Sequence, residues 1–347
     1  MKDPYIFELL RNFILVSNDY INATTLSLVL DRKISHDRIT RFLNQEELSY
    51  KQVWKWAKPY VKKINERNAV LIVDDTIIEK PYSSENSIVG YYWSSTKNRT
   101  VKGIQMLSLT YLGKHNQHIP IDVRIVEREK YFDEKKGKEC YKIIKNKNEL
   151  FREMVLGAIQ KNLLFSFILG DIWFGSSQNM NYTKKKLKRN FIFPLQRDRL
   201  VREKGRFYAK WEWTRIGDLQ FEDNEEKILF IKGVSFPVKV IKTKKRNSDG
   251  TESVHYLCCS HLGVSREKII ETYQKRWAIE EYHKSLKQNL NIEKSPQKKK
   301  RSQMNFIYVV IAAYIFLEKL RMQMHLSHFN IKRDFFIKSF PIHLLKC

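Results

Sequence analysis

The chain has 347 residues and a formal net charge of +26, from 64 Lys plus Arg against 38 Asp plus Glu. With 42% hydrophobic residues it can bury a core spanning more than one structural unit, which excludes a disordered chain. Four cysteines (Cys140, Cys258, Cys259, Cys347) form no CxxC pair and exclude a disulfide scaffold, and the basic excess favours a polyanionic partner, nucleic acid first.

Residues 1–66 read as helical, with apolar positions at helical spacing in 5–16, 26–30, 39–43 and 53–64. Within them, residues 24–43 place a short helix, a polar break, and Ser35 as N-cap of a second helix bearing Arg38 and Arg41. That pattern resembles a helix-turn-helix, and a plain helical hairpin is the alternative. At residue 69 the period changes. The continuous apolar run 69–73 predicts a buried strand that delivers Asp74 and Asp75 at its C-terminal edge. Strands near 103–112 and 118–126 are expected to form an antiparallel meander beside it. A helix over 147–162 follows, then a second buried strand over 164–170 ending in Asp171, and a further strand over 191–195.

Residues 198–256 alternate short strand-like runs with basic and turn residues, and Asn247 to Gly250 form a hairpin signal, so a β-rich insertion is expected there. His255, Cys258, Cys259 and His261 cluster, but their spacing matches no common zinc pattern, and an ordinary strand over 254–260 is the simpler reading. The run 306–317 is shorter than a bilayer span and reads as a buried helix. The first residues show no signal-peptide pattern, so a cytoplasmic protein without a membrane partner is expected.

The most informative stretch is 273–287. Wound as one helix, it puts Tyr273, Arg276, Glu280 and Lys287 within about 60° on one face. Ala278, Ile279, Tyr282, Leu286 and Leu290 form the opposite, apolar face. Glu281 lies about 100° from Glu280, off the stripe. Divalent metals take carboxylate oxygens, and two ions can clamp both ends of a phosphodiester displacement.

These four residues reproduce the spacing Y-(two)-R-(three)-E-(six)-K. In this the chain resembles the DDE transposases of bacterial insertion-sequence family four and its relatives, which carry that YREK signature. Val73, Asp74, Asp75 and Thr76 resemble the family's first motif, and the segment 169–174 around Asp171 resembles its second. The resemblance covers roughly residues 20–325. It implies an α/β fold: a ribonuclease-H-like catalytic core with a β-rich insertion, preceded by an all-helical N-terminal domain. The expected divisions are 1–66 (helical, DNA-binding), 67–197 (core, first part), 198–256 (insertion), 257–325 (core, second part) and 326–347 (tail).

The resemblance further implies Asp75, Asp171 and Glu280 as a catalytic triad holding Mg²⁺ or Mn²⁺, as two ions. Asp74 competes for the first place, since adjacent strand residues face opposite ways and only one can aim at the metals. The family's aspartate directly precedes Thr, which favours Asp75. Tyr273, Arg276 and Lys287 would bind DNA phosphate. Trp277, Trp211 and Trp213 are candidates for stacking on a displaced base, with core packing as the ordinary expectation for Trp277. The basic runs 184–189, 242–246 and 298–301 could track the DNA backbone or be plain solvated surface. The implied function is a cut-and-paste DNA transposase acting on terminal inverted repeats and target DNA, through a hairpin intermediate, as a homodimer in a synaptic complex. The alternatives are a ribonuclease-H-like DNA nuclease that does not join strands, or a catalytically silent DNA-binding regulator, which would not require an intact triad.

Overall fold

The computed structural model describes residues 1–203, 213–222, 224–246, 250 and 252–339. Four helices open the chain: α1 (Pro4–Val16), α2 (Ala23–Val29), α3 (His36–Gln45) and α4 (Tyr50–Ile64). Their starts follow from capping chemistry. Asp3 accepts from the Ile6 N–H at 3.1 Å, Asn22 from Thr25 at 2.7 Å, and Ser35 from Arg38 at 3.3 Å, each satisfying an orphan donor of the first turn. The α2–α3 turn has no glycine; Asp31 and Arg32 take its left-handed positions, φ 51° and 58°.

The middle of the chain supplies β1 (Val70–Glu79), β2 (Val89–Ser94), β3 (Arg99–Leu112), β4 (His118–Ile125), β5 (Arg128–Asp133), β6 (Lys138–Ile143), α5 (Lys147–Gln160), β7 (Phe167–Leu169), α6 (Ser177–Asn181) and β8 (Asn190–Leu195). β9 (Leu200–Glu203), β10 (Thr214–Arg215), β11 (Glu226–Ile231), β12 (Pro237–Arg246) and β13 (Glu252–Cys259) follow. Helices α7 (Arg266–Gln274), α8 (Ala278–Gln288), α9 (Lys300–Met324) and α10 (His328–Ser339) complete the described chain.

The fold is mixed α/β around one large mixed sheet, in the order β10-β9-β11-β12-β13-β8-β7-β1-β3-β2, with β4 also on β3. β1 lies inside it, antiparallel to β3 and parallel to β7, and β7 is parallel to β8. A strand so placed is covered on both faces, which explains the unbroken apolar run at its start. The long β3 serves two partners along one edge: β2 pairs with its first half and β4 with its second. β5 and β6 form a separate hairpin.

Strands of the 198–256 region do not stand apart. β13 pairs antiparallel with β8, so β9–β13 extend the main sheet, and the expected division at 256/257 falls inside β13. β12 and β13 pair through Arg246 and Glu252; the hairpin signal between them falls largely on 247–249, outside the described residues. α9 is longer than its apolar run 306–317. By length and composition it could cross a membrane, but 78% of its most apolar 18-residue window is buried inside the fold, where it packs against the N-terminal helices and β4. Within the tail, which shows no clear sequence pattern, His328–Ser339 form α10.

Candidate active site

Residues 273–287 are not one uniform helix. α7 and α8 are joined by a 3₁₀ turn, Lys275–Trp277, which tightens the winding by about 20° per residue. The stripe survives this change, and all four of its side chains meet the strands or their ends. The Tyr273 hydroxyl donates to the Gly170 carbonyl at 3.4 Å. Arg276 Nη1 lies 3.2 Å from Glu280 Oε1 and 3.5 Å from Asp74 Oδ2. Lys287 Nζ donates to the Ile77 carbonyl at 2.8 Å and pairs with Glu293 at 3.2 Å. On the apolar side Ile279, Tyr282, Leu286 and Leu290 are buried as expected.

Asp74 and Asp75 face opposite sides of β1. Asp74 is in register with Ser108, whose hydroxyl lies 3.3 Å from the Tyr282 hydroxyl, so its face is the one α8 covers. Asp75 turns to the α5 side, where its carboxylate accepts from Lys147 Nζ and from Gln105 Nε2, both at 2.8 Å. Lys147 is held in the first turn of α5 by a capping box in which Asn146 and Glu149 satisfy each other's backbone N–H groups. Asp171 follows the short β7 and caps the next turn, accepting from the Trp173 N–H at 3.0 Å. A side chain at Gly170 would come within 3.1 Å of Val73 and Phe174, so glycine lets Asp171 approach β1.

The acids perturb one another. Burial, followed by repulsion from Asp171 and Asp75, pushes the Asp74 carboxyl up to about 8, with Arg276 opposing. Asp171 is raised to about 6 by burial and by Asp75. Burial also lifts the Tyr273 phenol to about 12, so it stays a donor. Among the described residues, one set converges as cation ligands: atoms of Asp74, Glu280 and His283 lie within 4.8 Å of one another. His283 was missed in the sequence, where it fell on neither face of the wound helix. Its signal was the Glu-x-x-His spacing, which stacks a carboxylate and an imidazole on one helix face.

The other candidates are placed as follows. Trp277 is 62% exposed, which overturns the expectation of core packing: the 3₁₀ turn carries it outward. Trp213 lies under the Arg202 guanidinium at 4.8 Å, and Trp211 is outside the described residues. Trp173 is an exposed ring not anticipated, with Lys147 Nζ 5.6 Å from its centre. Among the described residues the Cys/His cluster forms no convergent ligand set: Cys258 and Cys259 are buried, with thiols pushed up to about 12 and about 11 by burial, the Cys259 sulfur meets only the backbone of His261, at 3.4 Å, and His255 faces Ser253. Of the basic runs, Lys184 bonds Asn190, while Lys300 and Arg301 pair with Glu127 and Glu47. In the helix-turn-helix-like segment, Arg38 pairs with Asp3 at 2.9 Å and Arg41 is exposed.

The cluster suits a divalent cation. Its donors are mainly carboxylate oxygens, and Asp74 is crowded by three like charges that a cation would neutralise. A mixed α/β sheet that gathers acids at its strand ends beside fixed cations has the build of an α/β nuclease. The chain belongs to the DDE superfamily endonucleases, whose family profile matches residues 10–218, more than half of its length. The matched span contains Asp74, Asp75 and Asp171 and stops before Glu280. No curated protein matches the chain. Membership implies a DNA substrate and divalent-metal chemistry.

Proposed function

We propose that the protein is a DNA transposase of the YREK-bearing insertion-sequence type, cutting and joining DNA at terminal inverted repeats. The observation that carries this reading is the convergence of β1, Asp171 and Glu280 around Arg276. The strand order β4-β3-β1-β7-β8, antiparallel then parallel about β1, supports a ribonuclease-H-like core. In this reading β9–β13 are its insertion and α1–α4 a DNA-binding unit. The protein would act as a dimer on paired ends beside the nucleoid, with a hairpin as the cleavage intermediate.

Asp171, Glu280 and an aspartate of β1 would hold Mg²⁺ or Mn²⁺. Two such ions supply activation of the attacking oxygen and stabilisation of the leaving one. The motif gives the β1 place to Asp75, whereas Asp74 is the one facing Glu280. We assign the direct role to Asp74, with Asp75 holding Lys147 close to Asp171. Arg276, now spread between two carboxylates, is placed to turn its fork to a DNA phosphate once those acids are neutralised. Lys287 would contact phosphate as a point charge, and Tyr273 would steady the Gly170 carbonyl before Asp171. Exposed Trp277 is available to a displaced base.

The test is strand cleavage and joining with Mg²⁺ on DNA carrying the inverted repeats that flank the gene. Both steps are expected to disappear in Asp74→Asn, with Asp75→Asn less affected. The reverse ranking would return the first place to Asp75. Cleavage without joining in the wild-type protein would leave a nuclease.

A further inference from the structure

His283 sits one helical turn after Glu280 on α8. Its side chain is 7% exposed, and Nε2 is buried without a hydrogen-bond partner. Buried polar atoms are nearly always paired, so such a nitrogen calls for an explanation. The surrounding groups do not provide one. Arg276 is committed to Asp74 and Glu280, Lys287 to Ile77 and Glu293, and His118 Nε2 to Thr110 at 2.6 Å. The neighbouring Tyr282 ring, 5.2 Å between centres, turns its hydroxyl to Ser108. What the imidazole does face is the carboxylate pair: its ligand atom lies within 4.8 Å of those of Asp74 and Glu280.

A neutral imidazole has a lone pair free, which is the state that binds metals. Oxygen ligands suit Mg²⁺, whereas an imidazole adds affinity for transition ions.

We propose that His283 is a nitrogen ligand of the active-site cation, forming with Asp74 and Glu280 a mixed oxygen–nitrogen set that favours Mn²⁺ over Mg²⁺. The assignment rests on the reading of the carboxylate cluster as the catalytic metal site. It adds a specificity-determining residue that the YREK spacing does not contain.

The experiment uses the full-length protein and Mn²⁺ as both ligand and spectroscopic probe. Pulsed electron paramagnetic resonance of the Mn²⁺-loaded wild type should show imidazole nitrogen coupling. Titration calorimetry should show Mn²⁺ affinity falling at least about tenfold in His283→Gln, with Mg²⁺ affinity nearly unchanged. Circular dichroism verifies the fold of the variant, and the wild-type spectrum is informative whether or not the variant folds. Absent nitrogen coupling, or equal Mn²⁺ affinity in a folded His283→Gln, overturns the assignment. In the second case, loss of both ions in Glu280→Gln keeps the carboxylate site standing without His283. A wild type that binds neither ion overturns both.

Discussion

Replacing Asp74 by Asn should stabilise the metal-free protein, and only at neutral to alkaline pH. Burial and the neighbouring acids move this carboxyl from 3.8 to about 8. At about 1.4 kcal/mol per pKa unit, ionising it in the folded chain costs on the order of 6 kcal/mol, and half of that after local relaxation. The sign follows from proton binding. Above the unfolded value the folded chain holds a proton that the unfolded chain has lost, so this contribution is complete below 3.8 and is lost as pH rises toward 8. Asparagine keeps the shape and removes the ionisation. With an unfolding entropy of about 2.1 cal/mol/K per residue, about 3 kcal/mol corresponds to about 4 °C in Tm for this chain. In EDTA at pH 8 the variant should therefore melt about 4 °C above wild type, and at pH 4.5 by less than about 1 °C. Mg²⁺ should raise the wild-type Tm and leave Asp74→Asn nearly unmoved. Differential scanning calorimetry at the two pH values makes the comparison. A gap independent of pH, or equal Mg²⁺ stabilisation of both proteins, refutes the reasoning.

Glu280→Gln and Asp171→Asn should each lower DNA cleavage by at least about a thousandfold while end binding is kept, since each removes several kcal/mol of metal-held stabilisation. A nicking assay beside a gel-shift titration checks this, and ordinary cleavage by Glu280→Gln would refute it. Lys287→Ala should weaken binding to all DNA sequences and make the salt slope shallower by about 1. An unchanged slope removes Lys287 from the phosphate contacts. Glu318 is buried on α9; burial raises its carboxyl, but bonds from His328 and Arg321 hold it down at about 2. Its contribution is present above 4.5 and lost as pH falls toward 2. Glu318→Ala should cost about 3 kcal/mol in urea unfolding at pH 7, because it strands its partners.

The parts of this fold that were legible beforehand have simple physical signals. The start of β1 is an unbroken apolar run because both its faces are covered, and Ser35 marks the start of α3 because an orphan N–H needs an acceptor. The β5–β6 hairpin was invisible because its strands are charged and mostly exposed, leaving no alternation to read. The union of β13 with β8 is a long-range pairing that local pattern cannot contain. In the site, one helical face identified the four residues of the YREK stripe. The partners of the two β1 aspartates lay elsewhere in the chain: Gln105, Lys147 and Arg276 meet them through sheet register and helix packing. The motif could rank Asp74 and Asp75 only by the neighbouring Thr, whereas the fold separates them by the face each one meets.

α9 has a consequence for the order in which the chain can be completed. Its Asn305 accepts from the Leu48 N–H, 257 positions away, and donates to the carbonyls of Leu43 and Glu46. Its Glu318 accepts from the His118 N–H, 200 positions away. These are backbone groups of the end of α3, of the connection to α4 and of the start of β4, and buried backbone groups need such partners. During synthesis the ribosome must deliver α9 before those early segments can close. Until then they remain an open cradle, so the nascent protein should depend on holdase chaperones late into translation.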